Sequence, residues 1–179
     1  TQSDCEVIIH LYKEFGAECV KMLDGVFSFI LYDKTSDEIL VARDPIGVVP
    51  LYYGYTKNND IMFSSEMKVL KDDCVTISTF EPGHILDLNI KDYYHRLYIG
   101  GTLIPIELKK YYTPHWDSER FNDKIPEEIL CKQIRDSLTN AVEKRLMAEV
   151  PWGVLLSGGL DSSLVASISN RLLKTTKTP

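Results

Sequence analysis

Gly153-Val154-Leu155-Leu156-Ser157-Gly158-Gly159-Leu160-Asp161-Ser162-Ser163 decides how the C-terminal part of this chain folds. An apolar run, Gly153 to Leu156, enters a glycine turn, and a second apolar run, Leu164-Val165-Ala166-Ser167-Ile168, leaves it. Strand, glycine turn and helix in that order aim backbone N–H groups and a helix N-terminus at an anion. Gly158 and Gly159 let the backbone approach that anion without a Cβ in the way. Ser157, Ser162 and Ser163 add hydroxyl donors at the same place. No Lys follows the second glycine and the glycine spacing differs, so the loop is not a Walker A motif. The pattern predicts a site for the pyrophosphate part of ATP. The plainer alternative is a Gly-Gly turn with Asp161 or a serine capping the next helix.

Upstream, Pro126 suits the first position of a helix. Ile129, Leu130, Ile134, Leu138, Ala141, Val142 and Leu146 then recur at helical spacing. Residues 89 to 125 carry no readable period: Tyr93-Tyr94-His95 and Tyr111-Tyr112 are aromatic but not periodic, and Tyr112 to Trp116 reads as an edge strand or a linker.

The first half reads as antiparallel strands with little helix. Ser3-Asp4-Cys5-Glu6 has the form of a capping box, followed by a helix with Val7, Ile8, Leu11, Tyr12 and Phe15 on one face and Gly16 at its stop. Cys19 to Leu23 continues as a short helical piece. Val26 to Tyr32 is a strand buried on both faces for most of its length, and Glu38 to Ala42 is its partner. Arg43-Asp44-Pro45-Ile46-Gly47 is a loop in which Arg43 and Asp44 could pair as ions. Pro50 to Tyr55 and Ile61 to Ser65 form a hairpin about Asn58-Asn59-Asp60. Glu66 to Leu70 is a short helix, and His84 to Leu88 is a strand after the Glu81-Pro82-Gly83 turn.

The 179 residues suffice for one domain, or one and a part. A hydrophobic fraction of 44% and a charged fraction of 26% are those of a globular protein. A net charge of −6, with no dense Lys/Arg patch, speaks against a nucleic-acid partner. No apolar run approaches the roughly 20 residues of a membrane span, and no signal peptide is visible. Cys5, Cys19, Cys74 and Cys131 are too dispersed for a zinc site and suit reduced thiols in the cytoplasm. Thr1 is not an initiator Met, and Pro179 falls just after the first strand–loop–helix unit, so the chain reads as an internal excerpt. Such an excerpt would leave an antiparallel sheet edge unpaired.

Three strings occur in order: Ser3 to Glu6, Arg43-Asp44-Pro45-Ile46-Gly47-Val48-Val49-Pro50-Leu51-Tyr52-Tyr53, and Ser157 to Ser163. Together they resemble the glutamine-hydrolysing asparagine synthetases, as do Leu23 to Phe27, Ser65 to Lys68 and Lys144 to Leu146. The resemblance covers nearly the whole chain and is weakest at about residues 89 to 122. It implies an α+β fold: an antiparallel, strand-rich part of an N-terminal-nucleophile glutaminase domain, then the first strand–loop–helix unit of a parallel α/β ATP-pyrophosphatase domain. The implied boundaries are 1–112 for the glutaminase part, 113–125 for a linker and 126–179 for the start of the ATP-binding domain.

In that family one site releases ammonia from glutamine with an N-terminal cysteine thiolate. A second uses ATP to adenylate the aspartate side chain, and ammonia displaces AMP to give asparagine. A dry internal path keeps ammonia unprotonated and nucleophilic. The resemblance implies glutamine, aspartate and ATP as partners, ATP with Mg2+ as cofactors, a cytoplasmic setting, and compatibility with a homodimer. It leaves this chain without a catalytic residue, because Thr1 is not the nucleophilic cysteine and the other cysteines are internal. Thr1 matches a mid-domain position, so its likeness to N-terminal threonine hydrolases is coincidence.

By the same resemblance Asp4 binds the glutamine α-amino group, although a carboxylate there also serves as a helix cap. Val26, Val48 and Val49 match positions facing the ammonia path, where plain core packing is an equal alternative. Leu155, Ser157, Gly158, Gly159, Asp161, Ser162 and Ser163 bind ATP and its pyrophosphate, and Asp161 is the magnesium ligand. His10, His84, His95 and His115 are scattered and assemble no triad. The piece alone should be inactive in both half-reactions. Two other accounts share these features: a β-lactam- or amide-forming relative, and a truncated binding or regulatory protein.

Overall fold

The computed structural model describes residues 3–100, 105–114, 116, 125–148 and 150–175. Thr1, His115 and most of the expected 113–125 linker lie outside the described residues. The chain divides into two compact units, Thr1–Glu119 and Arg120–Pro179. The fold is mixed α+β with antiparallel sheets.

The first unit opens with α1 (Glu6–Phe15), stopped by Gly16 at φ +58°, where a side chain would be strained. A 3-10 segment, Gly16–Met22, follows. The capping box does not close: Ser3 Oγ accepts the Cys5 N–H at 3.3 Å, while the Glu6 N–H goes to the Ser3 carbonyl at 3.1 Å. Only Ile8, Leu11 and Tyr12 of the expected apolar face turn inward; Val7 and Phe15 are exposed.

Among the described residues seven strands follow in two sheets. β1 (Ser28–Asp33), β2 (Glu38–Arg43), β6 (His84–Asn89) and β7 (Lys109–Lys110) form one, in the order β1-β2-β6-β7. β4 (Ile61–Ser64), β3 (Tyr52–Thr56) and β5 (Cys74–Thr79) form the other, in the order β4-β3-β5. All pairings are antiparallel. Strand alternation on β2 makes the layering plain. Leu40 and Ala42 pack with Cys19, Val20 and Ile85 beneath α1, whereas Val41 packs with Leu51, Phe80 and Leu86 toward the second sheet. The first sheet is thus covered on one face by helix and on the other by β3–β5.

β1 corrects the reading of a strand buried on both faces. It is an edge strand of its sheet, and Ile30 and Tyr32 point to an open side. β5, absent from the sequence reading, is a strand because Val75, Thr76, Ile77 and Thr79 are β-branched and pair with β3. Tyr93 and Tyr94 are periodic after all. They lie on α3 (Ile90–Gly100), where Ile90, Tyr93, Tyr94 and Leu97 occur at i, i+3, i+4 and i+7. Tyr112, Thr113, Pro114 and Trp116 form no strand; the late edge strand is Lys109–Lys110. The short α2 (Met67–Leu70) anchors through the buried Leu70.

In the second unit, α4 (Glu127–Glu143) starts directly after Pro126, which takes the cap position rather than the first helical one. It packs against α5 (Leu160–Thr175), with Val142 and Ile168 buried. The strand expected over Gly153–Leu156 is not formed. A parallel strand is stable only between neighbours, and no described residue pairs with it; Leu155 is 94% exposed.

Candidate functional site

Two loops carry the chemistry-bearing residues, one in each unit. The first runs from Arg43 at the end of β2 to Val49. Asp44 is 1% exposed and Arg43 8%, yet they make no ion pair with each other. Each instead holds backbone. The Asp44 carboxylate accepts N–H bonds from Ile46 (3.0 Å), Gly47 (2.7 Å), Val48 (3.2 Å) and Val49 (3.3 Å). The Arg43 guanidinium donates to the carbonyls of Val49 (2.8 Å), Phe80 (2.6 Å) and Gly47 (2.9 Å). This satisfies both buried charges with peptide dipoles, the condition under which burial of a charge is tolerated.

The Asp44 backbone extends the same joint. Its N–H reaches the Phe27 carbonyl at 2.8 Å, and its carbonyl accepts from Gly47 (3.1 Å) and Gly83 (3.0 Å). The Tyr111 hydroxyl donates to the Arg43 carbonyl at 2.9 Å. Burial, reinforced by the Asp44 charge, pushes the Tyr111 phenol well above its ordinary range. Sequence reasoning missed Phe80, Gly83 and Tyr111 as parts of this site. The Glu81-Pro82-Gly83 turn was a signal; a tyrosine 68 residues from its partner, in a stretch without readable period, was not.

Val26, Val48 and Val49 lie around this joint, Val26 next to Phe27 and the other two on the clamped loop. Val26 is 50% exposed, Val48 is more than half exposed and Val49 is half-buried. Asp4 is exposed beside α1, and its Oδ1 accepts the Cys5 N–H at 2.9 Å. Its other oxygen has no partner among the described residues.

In the second loop Gly158 has φ +83°, and nothing lies within 4 Å of where its Cβ would stand. Ser157 Oγ and Ser162 Oγ are 3.0 Å apart. Ser162 and Ser163 donate their hydroxyls to the Gly159 carbonyl at 3.1 and 2.7 Å. The first helical amide bond runs from Ser163 N–H to Gly159 at 3.1 Å, so the N–H groups of Leu160, Asp161 and Ser162 lie in the first turn without helical partners. Asp161 is the second residue of α5, which corrects its reading as a cap; it is exposed and has no partner among the described residues. Leu155 and Ser157 through Asp161 all face solvent.

The remaining candidates for chemistry are apart from these loops. All four cysteines are unpaired, and burial pushes the Cys19 and Cys74 thiols up, away from thiolate character. His10 faces Glu6 at 4.0 Å; His84 faces Glu81 at 3.3 Å and the Pro82 carbonyl at 2.8 Å. None of those partners is a nucleophile. Among the described residues no cluster of three or more His, Cys, Asp or Glu could hold a metal by itself. No helix among them is long and apolar enough to cross a membrane.

The chain thus carries a clamped Arg-Asp loop on antiparallel sheets in one unit and a glycine turn leading into α5 in the other. Residues 1–98 match the glutamine amidotransferase domain family, and the chain belongs to it. Residues 133–178 match the asparagine synthase family. The chain is similar nearly end to end to glutamine-hydrolysing asparagine synthetases: 48% identical over 96% of its length to a probable one from Dictyostelium discoideum. It is 48% identical over 99% to one from Zea mays, and 49% over 99% to synthetase 1 of Arabidopsis thaliana. It spans only 27 to 28% of the length of those relatives. Among solved structures, the B. subtilis glutamine phosphoribosylpyrophosphate amidotransferase complexed with ADP and GMP aligns with 64% of this chain and 24% of its own. The TM-score there is 0.46 at 23% identity.

Proposed function

We propose that this chain is part of an ATP-dependent amidotransferase that hydrolyses glutamine and uses the ammonia to convert aspartate to asparagine, releasing AMP and pyrophosphate. The observation that carries it is the order of two matches on one chain, a glutamine amidotransferase domain followed by asparagine synthase. The first unit is then part of an N-terminal-nucleophile glutaminase domain, with a boundary near residues 113–125, and residues 126–179 open the ATP-pyrophosphatase domain. The catalytic thiolate is not one of the four internal cysteines.

Asp4 receives the α-amino group of glutamine on the carboxylate oxygen that Cys5 leaves free. Val26, Val48 and Val49 line the way by which ammonia leaves, their apolar surface keeping it dry and therefore unprotonated.

The residues of the second loop fit a pyrophosphate. The Gly158 turn is open, the first-turn amides of a 16-residue helix face outward, and three hydroxyls stand around them. Ser157, Gly158, Gly159, Ser162 and Ser163 hold the phosphates, and Leu155 contacts the nucleotide. To donate, Ser162 and Ser163 turn their hydroxyls away from the Gly159 carbonyl. One exposed carboxylate, Asp161, fits magnesium, which takes one or two protein carboxylates beside phosphate oxygens. When bound there, magnesium would neutralise phosphate charge. A cytoplasmic setting and a homodimer are compatible with this reading.

The test uses the natural polypeptide, captured from its source cells with an antibody to residues 113–128 and supplied with aspartate, MgATP and glutamine labelled with 15N in its amide. Labelled asparagine, with one pyrophosphate released for each, is the expected outcome. Glutamate without labelled asparagine, or neither product, overturns the reading.

A further inference from the structure

We propose that Asp44 is a positioning residue that registers the three valines of the ammonia path against one another, so that its integrity governs how much released ammonia reaches the second site. The inference rests on the function proposed above and adds a residue to it.

Val26 lies on the approach to β1, while Val48 and Val49 lie on the loop after β2. Backbone connectivity alone does not fix their spacing, because Pro45 to Val49 is irregular and contains Gly47 at φ +72°. Asp44 joins them. Its own N–H grips Phe27, one residue from Val26, at 2.8 Å. Its carboxylate collects the N–H groups of Val48 and Val49 along with those of Ile46 and Gly47. Arg43 closes the arrangement from the carbonyl side, at Gly47 and Val49. The peptide planes on both sides of Val48 are therefore pinned, and Val48 presents its side chain outward from a fixed backbone. A carboxylate is the group this needs, since it accepts at both oxygens and donates at neither.

Asp44→Asn tests this with almost no change of shape. Whichever way the amide turns, at least one of the four N–H groups meets an NH2 donor instead of an acceptor. In the natural polypeptide the expected result is a ratio of glutamate formed to asparagine made that rises about twofold or more, as small displacements in a positioned site allow. Glutaminase KM and asparagine synthesis from added ammonium are expected to hold, since both reacting sites are intact. A merely structural role would lower all three activities together and leave the ratio alone.

Should Asp44→Asn fail to accumulate, Tyr111→Phe removes a single bond to the Arg43 carbonyl and is expected to raise the ratio in the same direction, by less. An unchanged ratio in either folded variant overturns the inference. Absence of labelled asparagine from the unsubstituted protein would instead overturn the function on which it rests, so the two failures are distinct.

Discussion

Gly47 shows what one missing Cβ does for this molecule. Its φ of +72° is a conformation L side chains rarely adopt, and a Cβ there would stand 2.6 Å from Pro82 Cγ and 3.1 Å from the Arg43 guanidinium. Gly47→Ala therefore both strains the backbone and pushes on the clamp, and is expected to destabilise the first unit by about 2 kcal/mol. Gly54 has another reason to be glycine: a Cβ would meet the Thr76 carbonyl at 2.7 Å and Cys74 Sγ at 2.8 Å, in the ladder between β3 and β5. Gly54→Ala is expected to lose roughly 1–3 kcal/mol through overpacking. Gly25, with nothing within 4 Å of its Cβ position, is the control, and Gly25→Ala is expected to stay within about 0.5 kcal/mol. Urea midpoints of the three variants check the ranking; a Gly25→Ala loss as large as the other two would refute it.

α3 is held to the β1–β2 turn by a small polar joint. Ile90 N–H donates to the Asp37 carbonyl at 2.8 Å, and Asn89 Nδ2 to the Ser36 carbonyl at 2.9 Å. The Asp37 carboxylate takes both the Lys91 ammonium and the Tyr32 hydroxyl, the latter at 2.7 Å. Lys91, then Tyr32, hold the Asp37 carboxyl below its ordinary 3.8. A carboxyl lowered in the folded state contributes stability above 3.8 that is lost as pH falls through the lower, folded value. Lys91→Met is expected to return the Asp37 titration, followed by carboxyl NMR, upward toward 3.8, with faster amide exchange in the first turn of α3. No movement of either would show that the joint does not hold the helix. This element was illegible in the sequence for a physical reason. Only Ile90, Tyr93, Tyr94 and Leu97 mark its buried side, and the exposed Tyr98 and Ile99 blur the period. β5 was missed because just Cys74 and Ile77 are half-buried, so it carries no clean alternation. By contrast β2, β3, β4, β6 and α5 could be read directly, since apolar runs bounded by turn residues fixed them. The Gly158-Gly159 turn into α5 was legible from its glycines and the apolar run after it, although the strand expected before it is not formed. The Asp44 clamp was not, because its partners are peptide groups, which every residue has.

Across the first unit, burial holds five tyrosines, Tyr12, Tyr55, Tyr93, Tyr94 and Tyr111, toward the neutral form. Tyr12, beneath the first sheet, is pushed up to about 12, by burial first and then by its hydrogen bond to Glu38. Burial also drives Tyr93 to about 12, Tyr111 beyond that, and Tyr55 and Tyr94 upward. Tyr93 feels the charges of Tyr55 and Tyr94 directly, whereas Tyr12 under α1 and Tyr111 against the clamp sit apart from them and are coupled to them through the unfolding of the unit. In the unfolded chain each ionises near 10. Between 10 and 12 the folded state therefore binds more protons than the unfolded one, and stability falls as pH rises. Below 10 both states are protonated and this contribution is fully present. The expected outcome is a cooperative alkaline transition in that window, in which circular dichroism at 222 nm and phenolate absorbance at 295 nm change together. Tyr12→Phe removes one of the raised groups together with its bond to Glu38. Its stability is therefore expected to fall less steeply with pH across the window, while its stability at neutral pH drops by about 1 kcal/mol. Phenolate absorbance that rises smoothly from pH 10 with the ellipticity unchanged would mean that these phenols ionise in place, and that their burial does not bind titration to the fold.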